Sequence, residues 1–116
     1  EAAAAARLRR LLAAGSPDCA QVEVVSAPVE RALAARPGSR FDVAVLDPPR
    51  SGARAALAAL TRLALRRVVY VSCDAMTLGR DLVELRAAGL RPRSVQPVDL
   101  MPHTAQVECV AVLDAA

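Results

Sequence analysis

Apolar positions recur along the chain with two different periods, and the period changes where glycine, proline or serine interrupts it. Residues 2–14 are an Ala/Leu/Arg stretch that stops at Gly15 with Pro17 beyond, as a helix ends. Val22, Val24 and Val25 make 21–26 a short β-branched run, which reads as a strand. Residues 28–35 suit a short helix with Pro28 in its first turn. The run 41–46 is nearly continuous apolar, the pattern of a strand buried on both faces of a parallel sheet. Ser51 is placed to cap a helix running to Leu63, with Ala56, Leu57, Leu60 and Leu63 on one face. Residues 67–72 (RVVYVS) predict another apolar strand. Thr77 is placed to cap a helix that carries Leu78, Leu82 and Leu85 until Gly89 stops it. Residues 94–98 and 107–113 are the last two strands.

Strands separated by helices of this length imply right-handed crossovers and a parallel sheet. The last connection, 99–106, contains Pro102 and is too short to hold such a crossover, so the final strand should run antiparallel. The predicted architecture is α/β: an open, doubly wound, mostly parallel sheet with a final antiparallel strand.

Composition narrows the class. The 116 residues suffice for one modest domain. With 54% apolar residues and only Phe41 and Tyr70 aromatic, the core must be aliphatic. Charges interrupt every long apolar stretch, so no membrane span is expected. The chain opens on Glu1 and alanines rather than on a basic, then apolar, leader, so no secretory signal is expected either. The net charge is +3, and all 15 basic residues are arginine. That balance fits an RNA partner, but the codon bias of a GC-rich genome is the preferred reading, since the arginines are evenly spread. Cys19, Cys73 and Cys109 are odd in number and widely spaced, with His103 the single histidine, which argues against a disulfide framework or a zinc site. A reducing cytoplasm is the expected location.

In sheets of this kind ligands bind beyond the carboxyl ends of the parallel strands. Asp47-Pro48-Pro49-Arg50 and Ser72-Cys73-Asp74 both fall there, and an antiparallel last strand starts at the same edge, bringing His103, Thr104 and Glu108 with it. Two prolines stiffen the first loop, so a carboxylate or carbonyl on it could meet a ligand with little entropy left to lose; the same residues also read as a plain strand-to-helix turn. Cys73 lies between a strand end and a helix start, where the positive helix end favours an anion. It also reads as a small buried apolar residue. Cys109 and Cys19 read as packing or surface. Glu108 is a carboxylate in a Val/Ala strand, which needs a partner or a function unless alternation turns it to solvent.

The segments LDPPRSG at 46–52, VVYVSCDAMTLGRDL at 68–82 and VDLMPHTAQVECVAVL at 98–113 together resemble the RNA uridine-5-methyltransferase family. The three motifs occur in order over roughly the last two-thirds of the chain. The resemblance implies a partial Rossmann-like methyltransferase fold, S-adenosyl-L-methionine as cofactor and transfer or ribosomal RNA as substrate. It implies that Cys73 is the nucleophile, that Glu108 is the base and that Asp47 lies against the cofactor; no metal is implied. On this reading residues 1–116 are the C-terminal portion of one methyltransferase domain. The glycine-rich first motif and the N-terminal RNA-binding region are missing, and weak cofactor binding by the chain alone is expected. Glu1 is a further candidate, for the acid that holds the cofactor ribose.

The sequence departs from the family pattern at Ala75, where proline usually follows Ser-Cys-Asp, and at Met101 and Gln106, where phenylalanine and histidine are common. Pro28 stands where many methyltransferases place an acid near the adenine, so no cofactor contact is assigned to it. Two competing readings are an amino-group methyltransferase that uses the Asp-Pro-Pro loop, for which Cys73 would be dispensable, and a non-catalytic RNA-binding fragment.

Overall fold

A computed structural model describes residues 2–14, 22–63 and 65–116 of the chain. Two compact units emerge, residues 1–35 and residues 36–116.

The first unit contains helix α1 (Ala2–Ala13) and helix α2 (Val29–Ala34). Pro28 is the N-cap of α2, with φ −51° and ψ 135°, a geometry that its ring presets. The strand expected at 21–26 is not formed over 22–26, and Gln21 lies outside the described residues. A strand exists only through its ladder, and none of the strands described here pairs with this run. The Val24 carbonyl instead accepts from Arg9 Nη2 at 2.8 Å.

The second unit is built on a four-stranded sheet in the order β1-β2-β4-β3. Strands β1 (Val43–Leu46) and β2 (Arg67–Ser72) are parallel. The final strand β4 (Glu108–Ala115) inserts between β2 and β3 (Leu90–Val98) and runs antiparallel to both, as the short 99–106 connection requires. β3 is longer than expected and is an edge strand, which accommodates Pro92 and Pro97. A register irregularity falls between Pro92 and Ser94.

Helices α3 (Arg54–Leu60) and α4 (Ala75–Ala87) are the two crossovers between parallel strands, and right-handed crossovers running in one direction put both on the same face. The core forms there. Leu57, Leu60, Leu63, Leu78 and Leu85 are buried, as are Val68, Tyr70, Ala111 and Leu113 on alternate positions of β2 and β4. The pairs Val68–Leu113 and Tyr70–Ala111 stand directly opposite each other in the ladder, so their side chains share that face.

The other face is largely open. The expectation that 41–46 is buried on both faces fails: Phe41 and Asp42 precede the strand, and Val43 and Val45 are exposed, Val45 by 70%. Both crossover helices lie on one face of the sheet, and Val43 and Val45 are exposed on β1.

Both expected helix caps differ as well. Ala53, not Ser51, is the N-cap of α3, and its side chain makes no capping bond; a 3₁₀ turn at Thr61–Leu63 ends the helix. Asp74, not Thr77, caps α4: its carboxylate accepts from the Thr77 N–H at 2.8 Å. The stop at Gly89 is as expected, with φ +93° after the C-cap Ala88.

Candidate active site

The carboxyl ends of β1 and β2 open onto one edge of the sheet, and two loops leave from it. Loop 47–53 follows β1. Pro48 and Pro49 restrict its backbone, and the Gly52 N–H closes a turn onto the Pro49 carbonyl at 2.8 Å. Gly52 adopts φ +84°, and a Cβ there would lie 2.5 Å from both Asp81 Oδ2 and Thr77 Cγ2. Glycine is therefore required twice, by conformation and by space. Asp47 is exposed at the start of this loop.

Cys73 follows β2 and is held between two local motifs. Ser72 Oγ accepts from the Asp74 N–H at 3.2 Å and donates to the Asp74 carbonyl at 3.0 Å. Asp74 then caps α4 and is held below the usual carboxylate range, chiefly by the Thr77 N–H and then by the Thr77 hydroxyl. Cys73 is half-buried, with its thiol free.

Strand β4 delivers Glu108 to the same edge. The ladder pairs Val98 with Glu108 and Ser72 with Cys109. Continued by one step, the second register sets Cys73 opposite Glu108. Cys109 is buried on the helix-covered face, so alternation turns the half-buried Glu108 toward the other face. The 99–107 connection reaches this edge too: Thr104 Oγ1 donates to the Met101 carbonyl at 2.7 Å, and His103 is exposed with φ +66°. The sheet thus brings Asp47, Cys73 and Glu108 to one rim. Glu1 and Cys19 lie outside the described residues.

One cluster beneath this rim escaped the sequence reading. Asp81 is fully buried, and its carboxylate accepts from the Tyr70 hydroxyl at 2.6 Å, the Ala53 N–H at 2.7 Å and Arg80 Nη2 at 2.8 Å. Burial alone would raise the Asp81 carboxyl; the Tyr70, Ala53 and Arg80 donors outweigh it and hold the group below the usual range. Burial, reinforced by the Asp81 carboxylate, pushes the Tyr70 phenol well up. A signal was present: Asp81 lies between Leu78 and Leu85 on the apolar stripe of α4, where an ionised side chain needs partners.

Among the described residues no three His, Cys, Asp or Glu side chains converge as a metal site would need. No described helix is long and apolar enough to cross a membrane. Open depressions at the opposite edge of the sheet are lined by residues such as Arg86, Arg91, Asp42 and Asp114, without Asp47, Cys73 or Glu108.

Two specialised loops thus lie beyond the carboxyl ends of parallel strands, where open α/β sheets bind their ligands. Among the described crossovers both helices lie on one face, so the sheet is not wound on both faces as expected. A profile of the tRNA (Uracil-5-)-methyltransferase family matches residues 38–116, and the chain belongs to that family. It is 42% identical over 97 residues to an uncharacterized RNA methyltransferase of Streptomyces coelicolor, covering 83% of this chain and 21% of that protein. It is 50% identical over 72 residues to the 23S rRNA (uracil(1939)-C(5))-methyltransferase RlmD of Pectobacterium atrosepticum, covering 62% of this chain and 16% of the relative. Among solved structures, the Pyrococcus abyssi tRNA (uracil-54, C5)-methyltransferase in complex with S-adenosyl-L-homocysteine aligns with a TM-score of 0.61 and 31% identity, over 75% of this chain and 21% of that one. The fold is accordingly part of the Rossmann-like methyltransferase fold. The chain spans about a fifth of the length of these relatives.

Proposed function

We propose that this chain supplies the reactive end of an RNA methyltransferase that moves a methyl group from S-adenosyl-L-methionine to carbon 5 of a uridine in transfer or ribosomal RNA. The observation that carries the reading is the register of β2 and β4, which ends on Ser72–Cys109 and leads Cys73 and Glu108 to adjacent positions at the rim.

Carbon 5 of uracil is a poor nucleophile, whereas carbon 6 is conjugated to a carbonyl and accepts one. The Cys73 thiolate adds to carbon 6, and the electron pair of the 5,6 double bond moves into the carbonyl as an enolate. Carbon 5 of that enolate can then form a bond to an electrophilic methyl. Glu108 takes the carbon-5 proton, the double bond reforms, and the Cys73 sulfur leaves with its bonding pair. A half-buried thiol and a half-buried carboxylate are both suited to these steps: reachable, yet partly shielded from water. For Cys73 to reach carbon 6, the base must lie in a loop or be flipped out of a helix.

S-adenosyl-L-methionine, when bound, supplies the sulfonium methyl. The residues present fit part of its cradle. Asp47 offers an exposed carboxylate for hydroxyl or amino groups. Pro48 follows with a carbonyl acceptor on a backbone that has little freedom to lose. The solved relative's complex with S-adenosyl-L-homocysteine supports the same cofactor class.

The test uses the intact protein that carries this sequence, with 5-fluorouridine RNA, in which carbon 5 has no proton to lose. Wild type should form a covalent adduct, Cys73→Ala none, and Glu108→Gln should form adduct on ordinary RNA but release it slowly. An adduct surviving Cys73→Ala, or a methylated nucleoside whose mass and fragmentation place the methyl on an amino nitrogen, would overturn the reading.

A further inference from the structure

We infer that Asp81, acting with Arg80, is a positioning residue that latches loop 47–53 to helix α4 and so holds the Asp47 and Cys73 loops in fixed relation; this rests on the function proposed above.

All the groups that meet this carboxylate belong to the framework of the rim. Asp81 Oδ2 accepts from the Ala53 N–H, where loop 47–53 enters α3, and from the hydroxyl of Tyr70, two residues before Ser72 on β2. Asp81 Oδ1 accepts from Arg80 Nε at 3.0 Å and Nη2 at 2.8 Å, and the same Nη2 reaches back to the Ser51 carbonyl at 2.8 Å. Gly52 lies flush against Thr77, Arg80 and Asp81, with no room for a Cβ. The loop after β1 is therefore fastened at Ser51, Gly52 and Ala53 to one turn of α4, and α4 starts at the Asp74 cap that adjoins Cys73. A shift of loop 47–53 relative to α4 changes the spacing between Asp47 and Cys73.

The chemistry of the latch favours positioning over simple stabilisation. An ionised carboxylate buried from solvent incurs a desolvation penalty that an apolar pair of similar volume would avoid. What the charge provides is direction: the Ala53 N–H on Asp81 Oδ2 and, through Arg80, the Ser51 carbonyl define one loop position, and small displacements at a reacting centre reduce rate steeply. The Ala53 N–H is an orphan donor at the start of α3, and Asp81 satisfies it from 28 residues away.

The experiment compares wild type, Asp81→Asn and Arg80→Ala in the intact protein, each well below its own melting temperature. Arg80 is 41% exposed on its side chain, so its truncation should leave the fold in place while removing the Ser51 bond. Hydrogen exchange of peptides covering 47–53 should quicken in Arg80→Ala while β2 and β4 keep their protection. The KM for S-adenosyl-L-methionine should rise by about 10-fold or more, with a smaller fall in kcat. A merely structural role would lower melting temperature and leave KM at its wild-type value in the folded variants; that result overturns the inference, as does unchanged exchange in 47–53. If Asp81→Asn does not fold, Arg80→Ala decides. If wild type itself never methylates RNA, the proposed function falls, and the exchange measurement still reads whether the latch holds the loop.

Discussion

Tyr70 donates its hydroxyl to Asp81 Oδ2 at 2.6 Å, and neither side chain touches solvent. Removing that donor leaves a buried carboxylate with one partner fewer. Tyr70→Phe keeps the ring's packing and should cost about 1.5–3 kcal/mol, the range for hydrogen bonds to charged groups. Urea unfolding followed by circular dichroism measures it. A loss below about 0.5 kcal/mol would show that water or a shifted Arg80 replaces the hydroxyl.

Acid should destabilise the fold through three carboxyls. Asp81 is held low by Tyr70, Ala53 and Arg80 against its burial, Asp74 by the Thr77 N–H and hydroxyl, and Asp114 by Arg67. A group whose native pKa is depressed contributes stability above its unfolded value, about 3.9 for Asp, and loses it as pH falls through the native value. Urea midpoints should therefore be insensitive to these groups from neutrality down to about pH 4 and fall below it. Asp81→Asn, less stable at neutral pH, should show a shallower acid limb. An equally steep limb in that variant would remove Asp81 from the explanation. Tyr70, with its pKa raised, acts in the opposite sense: its contribution is present below about pH 10 and fades as alkali ionises the phenol.

Gly52 and Gly38 provide a matched pair. Both have positive φ, +84° and +79°, but a Cβ at Gly38 meets nothing within 4 Å whereas one at Gly52 overlaps Asp81 and Thr77. Gly38→Ala should cost about 1–2 kcal/mol, from backbone conformation alone. Gly52→Ala adds a steric clash, typically about 1–3 kcal/mol more. Equal melting temperatures for the two variants would show that α4 yields at the contact.

Thiol chemistry separates two cysteines that sequence spacing cannot rank. Cys73 is half-buried in a loop, and Cys109 is buried among the core residues of β4. A brief maleimide treatment of folded protein, read by peptide mass mapping, should modify Cys73 and spare Cys109 until denaturant is added. Comparable labelling of Cys109 under native conditions would mean that β4 opens readily.

Strand β2 was legible residue for residue, because a six-residue segment centred on four apolar, mostly β-branched residues, Val68 to Val71, fits little else. The direction of β4 was legible from the length of one connection. The run 22–26 has the right residues for a strand, but none of the described strands pairs with it, and strand pairing is not a local property. For 41–46, the apolar pattern records what the residues suit, not which elements cover them, so Val43 and Val45 were misjudged. The caps show the same limit: Ser51 stood at the customary place, yet the α3 amide it would have served is taken by a carboxylate distant in sequence. At the rim, the positions of Asp47, Cys73 and Glu108 followed from strand direction, whereas Asp81 was passed over because a charge on a helix is ordinarily solvated.

Pro92 and Pro97 give the sheet a polarity of growth. Each deprives the outer strand of an amide hydrogen, so an incoming strand on that side would meet gaps in its ladder. β1 has no such interruption. Of the two borders of the described sheet, only Val43–Leu46 offers a ladder without such gaps.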